Sequence, residues 1–416
     1  MRVLVWVRSA CSSGPGSLRA IIVLLGLGAS QAASALELGG FVQAQARLYA
    51  ARPAHPGQRR DDASLVVQPE LYTVFNDGAD SLSLVPFLRL DSADRQRTHA
   101  DLRELLWMHV DDGWVLRAGI GKVFWGVTES RHLVDVINQT DRVESLDGEQ
   151  KLGQPLVNLA IDVDVLDHAG TLELFVLPGF RERTAPGRRG RQRSEPVIEV
   201  RDARYESSAG DRHVDFALRW SQVLGAVDLG IAHFHGTSRE PSLLPVAGVP
   251  GSVRLVPRYE VMDQTSVDLQ YTTDSWLYKL EAIRRAGQGP RSFYAHVIGV
   301  EYTRHGALGG RGDLGLLVEH LYDGRGHQAS TPFEHDLFLG VRWAANDVQG
   351  SSLLAGLIQD LEGKANLLTL EAERRLGDRF KLEVNGRAWF GVASGDPQRA
   401  VEADDHLEVN LRYYLQ

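Results

Sequence analysis

The C-terminal stretch 406–416 alternates apolar and polar side chains up to the last residue of the chain. Alternation with a period of two predicts a β-strand. One face carries Leu407, Val409, Leu411, Tyr413 and Leu415, and the other carries Glu408, Asn410, Arg412 and Tyr414. An apolar outer face, a charged inner face and aromatic residues near the chain end are typical of the closing strand of an outer-membrane barrel. We therefore predict an all-β, transmembrane, antiparallel β-barrel instead of a soluble β protein.

The N-terminus predicts export from the cytoplasm. Three arginines accompany a short apolar run at 20–27, and the small residues at 33–35 form a cleavage site. This pattern predicts a cleavable signal peptide over 1–35 and a single barrel domain over 36–416; a degraded membrane anchor is the alternative. The apolar run is far shorter than the about 20 residues that a helix needs to span a bilayer. Since no other run approaches that length, membrane insertion must use strands.

Cysteine content and charge limit the compartment and the partners. Cys11 is the only cysteine and lies in the segment predicted to be removed, which suits an oxidising compartment. That segment holds three arginines and no acids, so 45 basic against 54 acidic residues becomes 42 against 54, a formal charge of −12. A strongly acidic chain is not expected to bind nucleic acid. The hydrophobic fraction of 43% fits a soluble protein and a barrel equally well.

The connections between strand candidates alternate between short and long. The short ones carry Asn, Asp and Gly, which tolerate the left-handed conformations of tight hairpins, at 76–78, 111–113, 167–170, 224–225, 273–275, 345–347 and 377–379. The long ones are polar and rich in Gly, Pro and Arg, at 51–63, 127–155, 179–211, 237–262, 323–335 and 391–405. Short periplasmic turns and longer outer loops are the asymmetry of outer-membrane barrels. We count 18 strands, with 16 as the alternative because 60–80 could be irregular around Pro69 and 362–364 would be an unusually short outer turn.

Aromatic residues fall near the predicted strand ends. They are Trp107, Trp114, Trp125, Trp220, Trp276, Trp343, Trp389, Tyr413 and Tyr414. Such positions predict girdles at the membrane interfaces. Ordinary core packing is the alternative for any one of them.

Two stretches resemble a known group of proteins. The first is Leu102-Arg103-Glu104-Leu105-Leu106-Trp107, the turn at 111–113, Leu116-Arg117-Ala118-Gly119-Ile120-Gly121-Lys122-Val123-Phe124-Trp125-Gly126 and then Asp135-Val136-Ile137-Asn138; the second is 267–271 with 276–282. They resemble porin-like outer-membrane β-barrels of Proteobacteria, a largely uncharacterised group loosely related to alginate-export-type barrels. The resemblance implies that the segment after Trp125 is a loop directed into the barrel.

The chain departs from that group's pattern in three places. Gly121-Lys122 stands where Gln or Arg is more usual, the segment between Trp125 and Asn138 is short, and the chain ends in Gln416 instead of an aromatic residue. We expect Tyr413 or Tyr414 to provide the signal that the barrel-assembly machinery reads in the C-terminal strand.

Charged residues at inward strand positions are the candidate pore lining. They are Arg89, Arg117, Asp162, Asp164, Arg219, Asp268, Lys279, Glu281, Arg342, Glu371, Glu373, Lys381, Glu383, Arg387, Glu408 and Arg412. Facing rows of acids and bases set the ion selectivity of a pore. The alternative is that they pair with one another and brace the barrel.

Two loops are further candidates. The first, 127–155, is predicted to fold inward as a constriction, because its apolar residues need protein to pack against; its polar candidates are Glu129, Arg131, His132, Asp135, Asn138 and Asp141. The alternative is an outer loop packed on its neighbours. The second carries six arginines, Arg181, Arg183, Arg188, Arg189, Arg191 and Arg193, which predict a surface site for phosphates of lipopolysaccharide or for anionic solutes. The alternative is a solvated, disordered loop.

No catalytic constellation stands out. Ser130, His132 and Asp135 lie close together in sequence, and His233 and His235 share one strand face, but neither group has the spacing of a nucleophile elbow or a metal site. We therefore predict no enzyme activity, no cofactor and no metal.

The predicted function is a passive outer-membrane channel for small polar or charged solutes. The alternatives are a plugged structural barrel that anchors a partner or joins an export complex, and, third, a barrel enzyme. The expected surroundings are outer-membrane lipid and lipopolysaccharide, with a homotrimer or an export-complex partner as further possibilities.

Overall fold

A computed structural model describes residues 36–165, 167–248 and 252–415. The predicted signal peptide, 1–35, and Cys11 lie outside the described residues. Among the described residues, no helix combines the length and the apolar character needed to cross a membrane.

Strands account for most of the described chain. In order they are β1 (Glu37–Tyr49), β2 (Asp62–Phe75), β3 (Asp80–Asp91), β4 (His99–Asp111), β5 (Trp114–Gly121), β6 (Gln154–Val165), β7 (His168–Pro178), β8 (Arg204–Tyr205), β9 (Val214–Leu224), β10 (Val227–Thr237), β11 (Ser242–Ala247), β12 (Val253–Tyr259), β13 (Val261–Thr272), β14 (Trp276–Ala286), β15 (Phe293–Arg304), β16 (Asp313–Asp323), β17 (His335–Ala344), β18 (Ser352–Asp360), β19 (Asn366–Leu376), β20 (Phe380–Phe390) and β21 (His406–Tyr414). Helical turns are short: α1 (Ala307–Gly310) and 3₁₀ turns at Asn76–Gly78, Val200–Asp202, Gly210–Arg212, Gly326–Gln328, Pro397–Ala400 and Glu402–Asp404.

Eighteen strands form one closed antiparallel barrel, so the prediction of 18 is confirmed and the alternative of 16 is wrong. Each barrel strand pairs with its neighbours in chain order, and β21 returns to pair with β1 from Phe41↔Tyr414 to Tyr49↔His406. Closure leaves no sheet edge with unpaired backbone groups. The remaining strands, β8, β11 and β12, form a small separate sheet at the loop end.

The region around Pro69 is irregular without losing a strand. Pro69 of β2 lies opposite Gly40 of β1, and the β2–β3 ladder skips the residues between Val67 and Leu71. Proline has no N–H for a ladder bond. Gly40 has φ +106°, and a Cβ there would lie 2.2 Å from the Gln68 carbonyl oxygen. Glycine is therefore required where the two backbones approach.

The connections alternate between short and long as predicted, and the structure has three connections that were not predicted. All seven predicted short turns join strands at one end of the barrel, which we call the short-turn end; the long loops lie at the other, the loop end. The turn 305–312 and the loop-end connections 92–98 and 287–292 were not predicted. Segment 92–98 contains neither Gly nor Pro, the two strongest sequence signals of a turn. The loop after β5 begins at 122, earlier than the predicted 127.

The outward face is apolar along the strands and aromatic at the short-turn end. Exposed outward side chains include Leu88, Leu218, Val318 and Leu411. The aromatic girdle holds Trp107, Trp114, Tyr271, Trp276, Tyr278, Trp343 and Tyr413. For Trp125 and Trp389 the girdle prediction is wrong, because both are buried inside the barrel, at 4% and 7% exposure.

This division of faces predicts opposite effects of arginine at two mid-strand positions. Leu370→Arg on the outward face of β19 should lower the free energy of unfolding by about 2–4 kcal/mol, because a charge would sit in the hydrocarbon layer. Asn385→Arg is the control, since Asn385 faces inward on β20 between Glu371 and Glu408. Denaturant titration in lipid vesicles measures both. Equal losses for the two variants would contradict the assigned faces.

Candidate functional site

The barrel interior is lined by charged side chains. The strand register and the alternation of faces place all sixteen predicted lining residues on the inward face: Arg89, Arg117, Asp162, Asp164, Arg219, Asp268, Lys279, Glu281, Arg342, Glu371, Glu373, Lys381, Glu383, Arg387, Glu408 and Arg412. That they line a conducting pore stays a prediction.

Many of these charges are paired across neighbouring strands. The Arg47 Nε lies 2.5 Å from Glu408 Oε2, and both Arg219 guanidinium NH2 groups donate to Asp268 at 2.8 Å. Both pairs are buried. Removing one partner of such a pair would leave an uncompensated charge, which is more costly than the pair itself. These pairs therefore brace the wall in the way that the alternative interpretation expected.

The loop 122–153 folds into the barrel. Its apolar residues Leu133, Val134, Val136 and Ile137 are 0–5% exposed and belong to one core with inward wall residues such as Phe234. Apolar side chains directed into a charged, wet lumen would otherwise face water. The loop thus has its own apolar core inside the barrel, although its role as a constriction stays a prediction.

Two wall glutamates hold the start of this loop through its backbone. Glu281 Oε1 accepts hydrogen bonds from the N–H of Val127 and Thr128 at 2.8 and 3.1 Å, and Oε2 accepts one from Val134 N–H at 3.1 Å. Glu319 accepts from the N–H of Glu129 and Ser130, both at 2.8 Å. Loop amides inside a barrel have no ladder partner, so charged acceptors on the wall satisfy them. We call residues 127–134 the anchored segment.

The opposite side of the loop is held by arginines of β3 and β4. Arg89 donates from Nε and one NH2 group to Glu144, at 2.8 and 2.5 Å, and Arg103 lies 2.7 Å from Asp141. Two further ion pairs reach the remaining wall, Glu129 with Arg342 at 2.5 Å and Asp147 with Arg387 at 2.5 Å. The loop is therefore bonded to several sides of the barrel.

The predicted constriction residues have mainly structural partners. The Asn138 side chain accepts from Val123 N–H at 2.8 Å and donates to the carbonyls of Gly121 and Leu152 at 2.9 Å each. Asp135 lies 3.0 Å from Lys151 Nζ, and Arg131 donates to the Phe333 carbonyl at 3.3 Å. These bonds close the base of the loop and tie it to its neighbours.

His132 and Asp147 have shifted pKa values in the loop. Burial lowers the pKa of His132, but Glu149 and Glu281, at 3.4 and 3.7 Å, outweigh burial and raise the pKa to about 10. Burial raises the pKa of Asp147, but Arg387 and neighbouring hydrogen bonds outweigh burial and hold it below its usual value. Both side chains are therefore charged at neutral pH.

The arginine segment is only partly at the surface. Arg188 and Arg189 are exposed, whereas Arg191 and Arg193 are 5% and 7% exposed. Arg191 Nε lies 2.5 Å from Asp404, and Arg181 donates to Asp101 at 2.6 Å. For Arg191 and Arg193 the surface placement is wrong, because their charge is compensated within the protein. Anion binding by the exposed arginines stays a prediction.

Several interior residues were missed from the sequence. Glu319, Glu144, Arg47, Arg97 and Arg103 all make the buried contacts that hold the loop or the wall. Arg47 and Glu319 lie at inward positions of clearly alternating strands, so the same period-two argument would have found them.

The catalytic candidates do not form a relay. Ser130 Oγ donates to Glu319 at 2.5 Å, His132 contacts Glu149 and Glu281, and Asp135 pairs with Lys151. His233 and His235 lie on the outward face beside Asp263.

One other group has the right residue types for a metal, since ligand atoms of His99, Asp141 and Glu144 lie within 4.8 Å of one another. The two carboxylates already accept from Arg103 and Arg89. Because their charge is neutralised, this group does not suit a cation.

A cavity of 1390 Å³ lies between the loops and the wall formed by β17–β20. The loop side contributes Glu129, His132, Arg142, Asp147 and Arg183; the wall side contributes Phe338, Leu354, Ile358, Leu367, Glu371, Arg387 and Trp389. A second cavity of 580 Å³ lies toward the short-turn end, beside Asp162, Asp164 and Asp228. The exposed carboxylates Asp162, Asp164 and Glu371 thus face these spaces.

The chain resembles solved structures of outer-membrane barrels at low sequence identity. No protein-family model and no curated protein sequence matches the chain. Among solved structures, a mutant of the Rh. blastica porin is 10% identical with a TM-score of 0.44, over 92% of this chain and all of the other. The trimer form of OmpT, an outer membrane protein of Vibrio cholerae, is 11% identical with a TM-score of 0.45 over the same shares.

The two wall glutamates should control the position of the anchored segment. Replacing both Glu281 and Glu319 with alanine removes the acceptors of its backbone amides, so cleavage by trypsin after Arg131 should accelerate at least about tenfold, since each lost bond to a charged group contributes about 1.5–3 kcal/mol. Glu373→Ala is the matched control, because this wall carboxylate contacts Lys381 and not the loop. Unchanged cleavage in the double variant would contradict the anchoring.

The raised pKa of His132 predicts that the stability of the folded protein depends on pH. Its pKa is raised in the folded protein, so its contribution to stability is full below about pH 6.5 and is lost as the pH rises toward about 10. The melting temperature of the protein should exceed that of His132→Gln at pH 6, and the difference should shrink by pH 10. Thermal denaturation of both proteins in the same buffers measures this, and a difference that does not change with pH would refute it.

Proposed function

We propose that the protein is an outer-membrane channel through which small polar or charged solutes diffuse passively. The observation that carries this proposal is the 1390 Å³ cavity beside the β17–β20 wall. The loop is bonded to several walls, yet the lumen carboxylates Glu371 and Glu373 on this side remain exposed. Barrels of 16–18 strands are wide enough for an aqueous passage.

Transport in this channel needs no covalent step. A solute would leave bulk water at the loop end, pass between loop 122–153 and the β17–β20 wall, and leave at the short-turn end. Charged groups of both signs along that path would replace part of the solute's hydration and filter solutes by charge. The loop would set the width, because its ion pairs with Arg342 and Arg387 fix its distance from the wall.

The proposed location follows from the outward face. An apolar band with an aromatic girdle at the short-turn end suits a bilayer whose periplasmic interface lies at those aromatic residues. Outer-membrane lipid and lipopolysaccharide would then surround the barrel, and β21 would carry the signal for the assembly machinery. A homotrimer is compatible with this arrangement and would need a direct measurement of mass.

Single-channel recording tests the proposal with a matched pair of variants. Purified protein in a planar bilayer should give discrete, stable current steps. Thr369→Trp should reduce the step size by about half or more, because Thr369 lines the cavity and a larger ring would occupy the passage. Leu368→Trp should leave it unchanged, because Leu368 is the adjacent outward residue on β19.

Heat-modifiable migration on gels would show that each variant is folded. A folded protein without current steps would overturn the channel proposal and indicate a closed barrel.

A further inference from the structure

The wall side of the cavity carries a continuous apolar row. Phe338, Ile358, Leu367 and Trp389 are direct neighbours in the register across the four adjacent strands β17–β20. All four line the cavity. Leu354 also lines it, two inward positions from Ile358 along β18 toward the short-turn end. Phe338 and Ile358 are 3% and 6% exposed and also pack in the core that contains the loop's apolar residues, so the partly buried Leu354 and Leu367 are the more open part of this apolar wall. Apolar surface that remains open to the cavity would bind an apolar group by the hydrophobic effect.

Two glycines shape this row. A Cβ on Gly356 would lie 2.4 Å from Phe338 Cε2, and a Cβ on Gly340 would lie 3.0 Å from the same ring. The ring of Phe338 therefore lies against the backbone of the wall, in space that any larger residue would fill. Phe338 therefore leaves the cavity beside it open.

The cavity also has an excess of cations without a carboxylate partner. Among the described residues, three lining arginines have no carboxylate within 4.0 Å: Arg142, Arg183 and Arg291. Glu371 is the corresponding lining acid without a cation at that distance, while Glu129, Asp147, Glu149 and Glu195 each have one. Arg142 lies on the loop side, where burial and then Arg183 lower its pKa to about 10. Its guanidinium still remains charged at neutral pH.

We propose that this cavity binds organic anions with an apolar body, such as an aromatic carboxylate, and that the channel prefers anions. The apolar row takes the body, and the unpaired arginines, above all Arg142, attract the charged group. This inference rests on the proposed channel and names its class of solute. It also predicts a selectivity opposite to the formal charge of the chain, which is −9 over all 416 residues.

Benzoate and acetate separate the two parts of the site, because they share a carboxylate and differ in the apolar ring. In single-channel recordings at constant KCl, benzoate should reduce the current with a half-saturating concentration at least about tenfold below that of acetate, since burial of ~60 Å² of apolar surface supplies that factor. A KCl gradient should give a reversal potential of the sign expected for preferred passage of chloride. Equal effects of the two anions, or a preference for potassium, would overturn the inference.

Variants at Leu354 and at Arg142 should affect the half-saturating anion concentration and the preference for chloride differently. Leu354→Asn should bring the half-saturating concentration of benzoate closer to that of acetate and leave the preference for chloride unchanged. Arg142→Gln should weaken the effects of both anions and lower the preference for chloride, while Arg142→Lys should retain most of it. Arg201→Gln is the control, an exposed arginine that does not line the cavity. Identical behaviour of the Arg142→Gln and Arg201→Gln proteins would overturn the role of Arg142.

A binding measurement distinguishes failure of this inference from failure of the channel proposal. Isothermal titration of the purified protein with benzoate and with acetate, against matched detergent buffer, does not depend on conduction. Tighter binding of benzoate without any current would support the anion site and overturn the channel. Current steps without a difference between benzoate and acetate in either assay would support the channel proposal and overturn the proposed anion site.

Discussion

Pairing of β21 with β1 is the constraint on which the rest of the structure depends. It closes the sheet and turns every second residue of eighteen strands into a shared interior. Charges at those positions must either pair or remain wet, because an isolated charge in a low-dielectric space is costly. The interior shows both solutions. Arg219 and Asp268 are buried as a bidentate pair, whereas Glu371 faces the cavity.

The position of the loop follows from the same requirement. A loop inside a barrel has backbone amides without ladder partners, and the wall must provide acceptors for them. Glu281 and Glu319 do so on one side, while Arg89 and Arg103 hold the loop's acids on another. The loop's apolar residues also pack in one core with apolar inward residues of the wall, Phe338 and Ile358 included, and its acids pair with Arg342 of β17 and Arg387 of β20. The position of the loop thus depends on apolar packing as well as on polar acceptors.

The sequence predicts the barrel better than it predicts the site. Period two and the Asn, Asp and Gly turns depend on neighbouring residues, so the faces of the strands and a total of 18 could be predicted, although the connections 92–98, 287–292 and 305–312 could not. The partners of inward charges depend on register around the barrel and on the path of the loop. For this reason Glu281 could be assigned to the interior, but its bonds to the anchored segment could not. Arg191 shows the same limit, because Asp404 lies far from it in sequence.

Net charge is a poor guide to the ion selectivity of this barrel, because many of its acids are already paired or hydrogen-bonded inside the protein. Acids at the anchoring points are already used: Glu281 and Glu319 bind loop amides, and Asp147 neutralises Arg387. A solute in the cavity feels mainly the groups whose field is not cancelled within a few ångströms, because screening weakens the contribution of distant charges. In the larger cavity those groups are three arginines and Glu371. The balance of paired and unpaired charges around that cavity, and not the sum over the chain, therefore determines which ions the cavity attracts.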